Sequence, residues 1–154
     1  MIYSMILQKK ESYQDLIGLR QCIEFGTLQV IMDQGLNTED AENLRQIAVS
    51  IERELDEPNP DPKLICRTDI AFHDAIAKAT RNDLIVTVNE MLSKLTYGSR
   101  IRTIEQCIRE HDRKYLVDIH FEILKILEER DTDAIAHTLK RSYSYWANLQ
   151  MEEE

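Results

Sequence analysis

Apolar residues recur every three or four positions along most of this 154-residue chain. Spacing of that kind lines up apolar side chains along one face of an α-helix, which can then be buried against other helices. Only four glycines and three prolines interrupt the pattern. The sequence therefore predicts an all-α fold with six helices and no strand.

Capping residues indicate where these helices begin and end. Gly35 is a favourable left-handed stop for the first helix, and Asn37 or Thr38 can cap the second. Gly98 would allow the fourth helix to bend at this point. The apolar pattern does not predict a secondary structure for residues 98–110. The first predicted helix spans about 13–34, the second runs from residue 39 to about residue 55, and the third spans about 63–80. The fourth is capped by Asn82, the fifth spans about 111–130, and the sixth is capped by Asp131 or Thr132 and ends near Gln150.

Composition limits the class of protein. The net charge of −9 repels phosphate, so this chain is not expected to grip nucleic acid or an anionic membrane by itself. No apolar run approaches the ~20 residues needed to span a bilayer. Three distant cysteines without a CxxC pair predict free, buried thiols rather than a disulfide framework. A cytoplasmic protein without a membrane partner is expected.

Four polar residues occupy positions on otherwise apolar helix faces. Asp69 and His73 lie one turn apart on the third helix, His120 lies on the fifth, and Ser142 lies on the sixth. A buried carboxylate without a partner is costly, and a cation shared with imidazoles can neutralise it. Such ligands suit Zn, Ni, Fe or Mn. The alternative is a hydrogen-bonded Asp–His pair in the core, with His120 packed elsewhere.

Arg20 and Glu24 raise a similar question on the first helix, whose apolar residues cover more than one side and suggest a central position. One interpretation is an ion pair four residues apart at the edge of the core. The other is an Arg20 guanidinium that points into a pocket and binds a carboxylate through two hydrogen bonds. Arg100 and Arg102 can serve in the same way, but because the pattern does not define their local structure, a solvated surface position is the preferred interpretation of both.

These residues form an ordered set that resembles the FadR C-terminal domain (FCD) family, the effector-binding domain of GntR-type bacterial transcription regulators. The resemblance covers nearly the whole chain, from about residue 13 to residue 149. The Asp-x-x-Phe-His element alone is moderately specific for this family. Together with the correctly spaced His and the Arg-x-x-x-Glu element, it is a more specific signature of the family. The set comprises Arg20-x-x-x-Glu24, Asp69-x-x-Phe72-His73, Asn82, His120 and Asp131.

The resemblance implies a single bundle of six or seven helices around a central ligand pocket. It implies an effector-binding and dimerisation domain over residues 1–154, with 1–12 as a lead-in segment. Such domains form homodimers, bind a small organic acid or related metabolite, and control DNA binding by an attached winged-helix domain. No such DNA-binding domain is recognised in this chain, so DNA is expected as a partner only through a domain absent from it.

Many members of the family hold a divalent metal with one Asp and three His. Carried over to this chain, Asp69, His73 and His120 match three of those ligands. The fourth position falls on Ser142, whose neutral hydroxyl is a poor zinc ligand. The metal therefore either persists on three protein ligands or is lost. The residues assigned to effector binding are Arg20, Asn82, Arg100 and Ser142.

The predicted function is thus that of a ligand sensor and not of an enzyme. A metal-dependent enzyme is the alternative, because two His and one carboxylate with open positions also describe non-haem iron oxygenases and hydrolytic zinc sites. Against it, the sequence places no general base or nucleophile beside the cluster, and no catalytic residue is assigned. A purely structural helical dimer with an inactive pocket is the third hypothesis.

Overall fold

Six α-helices make up the part of the chain that the computed structural model describes, which is the backbone of residues 10–143 and the side chains of residues 14–143. These residues contain no strand, so the all-α prediction is confirmed. None of these helices is both long and apolar enough to cross a membrane. The helices are α1 (Lys10–Gln34), α2 (Thr38–Asp56), α3 (Pro62–Ala79), α4 (Asp83–Arg109), α5 (Arg113–Glu129) and α6 (Thr132–Ser142).

The helix ends follow the predicted capping chemistry. The side chain of Asn37 accepts a hydrogen bond from the Asp40 backbone N–H at 2.7 Å, and Asn82 caps α4 in the same way. The segment 98–110, which the pattern did not define, continues α4 through Gly98 to Arg109. The predicted start at residue 111 is two residues early, because His111 adopts a left-handed conformation that separates α4 from α5. The predicted end of the sixth helix near residue 150 lies outside the described residues.

Helix α1 is less central than its sequence suggested. It buries Leu28 and Ile31 in the core, whereas Leu19 and Phe25 are 44% and 42% exposed. Cys22 is also exposed, so the prediction of buried thiols is wrong for this cysteine, although Cys66 and Cys107 are buried. An apolar stripe on a helix shows which side chains can be buried, but only neighbouring helices decide which of them are covered.

A polar layer separates two apolar clusters of the core. On α3, Ile65 and Cys66 belong to one cluster, Phe72 and Ile76 belong to the other, and Asp69 lies between them. Because α3 packs extensively against both α2 and α4, this layer lies inside the bundle. A polar residue also lies between members of the two clusters on two more helices. These are Leu116, His120 and Ile123 on α5 and, with the clusters in the reverse order along the chain, Leu92, Arg100 and Ile104 on α4.

The turn after α1 contains Gly35, and substitution of this residue tests the described fold. Gly35 has a φ of +85°, and a methyl group on it would collide with the guanidinium of Arg130. We expect Gly35→Ala to lower the free energy of unfolding by about 1–2 kcal/mol, since left-handed backbone is costly for residues with a Cβ. Gly18→Ala is the matched control within α1, where a methyl group meets no atom within 4 Å. It should raise stability by about 0.5–1 kcal/mol. Equal effects in urea denaturation would contradict this account of Gly35.

Candidate functional site

The polar layer is organised around the carboxylate of Asp69. Its Oδ1 lies 2.9 Å from Nε2 of His120 and 3.6 Å from Nε2 of His73, and its Oδ2 accepts a hydrogen bond from Nη1 of Arg100. Burial alone would raise the pKa of Asp69, but Arg100 and the two imidazoles more than offset it and hold this pKa well below its usual range. Asp69 is therefore ionised and has partners on both oxygens.

Arg100 is buried, so the interpretation of this residue as part of a solvated surface is wrong. Only 5% of its side chain is exposed, and its Nε donates a hydrogen bond to Oγ1 of Thr96 at 2.9 Å. Arg100 lies four residues after Thr96 and four before Ile104, which are both buried on α4. This spacing marks Arg100 as a member of the buried face once α4 is known to continue past Gly98.

His120 has an acceptor on each side of its ring. Its Nδ1 lies 2.6 Å from the carbonyl oxygen of Leu116, and its Nε2 faces the Asp69 carboxylate. A neutral imidazole has one N–H and one lone pair, so it can donate to only one of these acceptors. If Nδ1–H donates to Leu116, the Nε2 lone pair faces a carboxylate oxygen, and a cation between them would relieve that repulsion. Histidines that ligate metals commonly donate their other N–H to a backbone carbonyl in this way.

The spacing of the ligand atoms is compatible with a single metal ion. One atom each from Asp69, His73 and His120 lies within 4.8 Å of the other two. Ligands about 2.1 Å from a tetrahedral zinc ion lie about 3.4 Å apart, and the two separations to Asp69, 2.9 and 3.6 Å, lie on either side of that value. Burial lowers the pKa of His73 despite the nearby Asp69, which favours the neutral imidazole that metals require. These three residues therefore fit a divalent ion.

Glu24 forms a second charged group beside the first. Its Oε1 accepts a hydrogen bond from Nε of Arg20 at 2.7 Å, and its Oε2 accepts one from the hydroxyl of Tyr143. Burial alone would raise the pKa of Glu24, but Arg20, with help from His73 and Tyr143, lowers it to about 2. Of the two interpretations of Arg20, the ion pair with Glu24 four residues away is the one that this contact matches. Tyr143 had no sequence signal, because it meets Glu24 from 119 positions away.

Six of the seven predicted site residues line one cavity of about 70 Å³, which lies among α1, α3, α4, α5 and the end of α6. The seventh, Asn82, is not among the lining residues. Its side-chain oxygen accepts backbone hydrogen bonds from Leu84 and Ile85 at the start of α4, so we leave it out of the site. The lining residues are Arg20, Asp69, His73, Arg100, Thr103, Ile104, Tyr115, Leu116, Ile119, His120, Ile123 and Ser142.

Comparison with known proteins agrees with the pattern of these residues. The family model described as FCD domain matches residues 15–144, which is most of the chain and includes every helix of the bundle at least in part. Neither the curated proteins nor the solved structures compared with the chain give a match. Because the match covers well over half of the chain, this protein belongs to the FCD domain family.

Proposed function

We propose that this chain is the effector-binding domain of a GntR-type transcription regulator, and that its cavity binds a small organic acid together with a divalent metal. Asp69, His73 and His120 hold the metal, which is Zn, Ni, Fe or Mn. The metal supplies a Lewis-acidic anchor for a carboxylate. One observation carries the proposal: three converging ligand atoms, the buried Arg100 and the partly buried Arg20 meet at a single cavity.

The charges around the cavity favour an anionic ligand. Two carboxylates, Asp69 and Glu24, are matched by the guanidinium groups of Arg20 and Arg100. When the imidazoles are neutral, as metal ligands are, the two carboxylates and the two guanidinium groups cancel. A bound divalent cation then adds two positive charges that have no counter-charge in a largely buried site. An acid with one or two carboxylates restores the balance, as buried charges require partners. A cavity of about 70 Å³ has room for water molecules, which a small acid would displace.

The remaining partners follow from the family and from the charge of the chain. We infer a homodimer, and DNA binding only through an attached winged-helix domain, in a cytoplasmic regulator. The net charge of −9 supports this division, because an acidic surface repels the DNA backbone. Sedimentation velocity tests the dimer: a monomer at micromolar concentration would contradict it.

Metal content is the first test of the proposed function. Protein purified without a metal-affinity tag or chelator, and dialysed, should contain about one Zn, Ni, Fe or Mn per chain by mass spectrometry. Adding citrate or succinate should then raise the melting temperature more with the metal present than after its removal, since a ligand stabilises the folded state that binds it. No uptake of metal even after soaking would contradict the metal site. Turnover of the acid would favour the metal-dependent enzyme instead.

Ser142 allows a gain of affinity to be predicted. It is the last residue of α6, it lines the cavity, and its hydroxyl donates to the carbonyl of Leu139 at 2.9 Å. We expect Ser142→His to tighten zinc binding by about tenfold or more, because a fourth protein ligand completes a tetrahedral shell. Ser142→Ala is the control and should leave zinc affinity nearly unchanged in calorimetric titration. Loss of stability in Ser142→His without a gain in affinity would mean that residue 142 does not reach the ion.

A further inference from the structure

His73 lies between two carboxylates that belong to different helices. Its Nε2 is 3.6 Å from Oδ1 of Asp69, and its Nδ1 is 3.8 Å from Oε1 of Glu24 on α1. Both separations are longer than hydrogen bonds but short enough for strong electrostatic attraction in a site where the side chains are at most 16% exposed. The proton of a neutral imidazole therefore has two competing acceptors, and its choice determines which nitrogen keeps the lone pair.

We propose that Glu24 is a positioning residue that holds the proton of His73 on Nδ1, so that the lone pair of Nε2 is directed towards Asp69 and the cavity. This inference rests on the proposed metal site. Both imidazoles then present Nε2 to the same place, because the Leu116 carbonyl has the corresponding role at Nδ1 of His120. A carboxylate behind a ligating histidine fixes the orientation of the ring and makes it a stronger ligand.

The surroundings of Glu24 suit this role. The carboxylate is held from two further directions, by Nε of Arg20 at 2.7 Å and by the hydroxyl of Tyr143. The guanidinium of Arg20 also lies over the Tyr143 ring, with 5.1 Å between its Cζ and the ring centroid. Only 15% of the Glu24 side chain is exposed. The carboxylate is thus charged, held in place and largely shielded from water, so it presents a fixed negative charge to Nδ1 of His73 at 3.8 Å.

Glu24→Gln is the variant that tests the proposal, because it keeps the shape of the side chain and removes the charge. In the metal-free protein the proton of His73 should shift towards Nε2, since the charge of Glu24 is gone and the carboxylate of Asp69 still faces Nε2. In the zinc-loaded protein the affinity for zinc should fall about 10- to 100-fold. Nitrogen-15 NMR of the imidazole rings reports the tautomer, and competition with a fluorescent chelator reports the zinc affinity.

Two further variants keep the result interpretable. Glu128→Gln is the matched control, because Glu128 forms an ion pair with Arg45 on the surface and does not line the cavity; it should change neither the tautomer nor the affinity. Glu24→Gln leaves the partly buried guanidinium of Arg20 without the carboxylate of Glu24, which threatens the fold. If it fails to fold, Arg20→Met combined with Glu24→Gln removes both charges and gives the same two measurements.

The outcomes separate this inference from the proposed function. A tautomer shift together with weaker zinc binding supports the role of Glu24. An unchanged tautomer ratio, or zinc bound through Nδ1 of His73, overturns it while leaving the metal site intact. A wild-type protein that takes up no zinc contradicts the proposed metal site itself, and with it the role of Glu24 towards a metal.

Discussion

Asp69→Asn should lower the free energy of unfolding of the metal-free protein by about 3–5 kcal/mol, which is the usual cost of removing one partner from a buried ion pair. The substitution keeps the shape of the side chain but leaves the guanidinium of Arg100, 5% exposed, without its carboxylate. It also removes the charge that faces His120 at 2.9 Å. Urea denaturation in the presence of a chelator measures the loss without any contribution from metal binding.

Two comparisons show whether the buried charge is the cause. Asp118→Asn makes the same change in an exposed pair, with Lys114 84% exposed, and should cost less than about 0.5 kcal/mol. Asp69→Asn combined with Arg100→Met removes both charges and should recover much of the lost stability. If Asp69→Asn costs less than about 1 kcal/mol, or if the double variant is less stable than the single one, Asp69 and Arg100 do not form the pair described above.

His73→Ala should weaken zinc binding by about 100-fold, because it removes one of the three proposed protein ligands and would leave the ion with a carboxylate and a single imidazole. The zinc affinity is measured by competition with a chelator, at a pH where folding of both proteins has been verified. The effect should appear as loss of binding and not as unfolding, since the Asp69–Arg100 pair and the His120 contact do not involve His73.

His137→Ala is the control for this prediction. His137 lies on α6, is exposed, and is not among the residues that line the cavity, so its loss should leave zinc affinity unchanged. Equal affinities of His73→Ala and the wild type would show that the ion, if bound, is held elsewhere. Equal losses in both variants would show that the measurement reports non-specific binding to surface imidazoles.

Several features of this protein were predictable from the sequence because they depend on neighbours within a few residues. Helix periodicity and caps such as Asn37 and Asn82 are local, and the backbone hydrogen bonds that they satisfy lie within three residues. The four-residue spacing of Asp69 and His73 likewise places both on one helix face. The ordered motif then connected these local features to the FCD family, which the family match over residues 15–144 confirms.

The partners of the candidate site were decided by the tertiary structure. The sequence alone determined that Asp69, His120 and Ser142 lie on the apolar faces of their helices. The periodicity of one helix does not specify which other helix, or which face of that helix, its apolar face packs against. The pairs that define the site join distant positions: Asp69 with Arg100, 31 residues apart, Asp69 with His120, 51 apart, and Glu24 with Tyr143, 119 apart. Packing of the apolar clusters brings these polar side chains together, because each lies where buried faces meet and must find its counter-charge there.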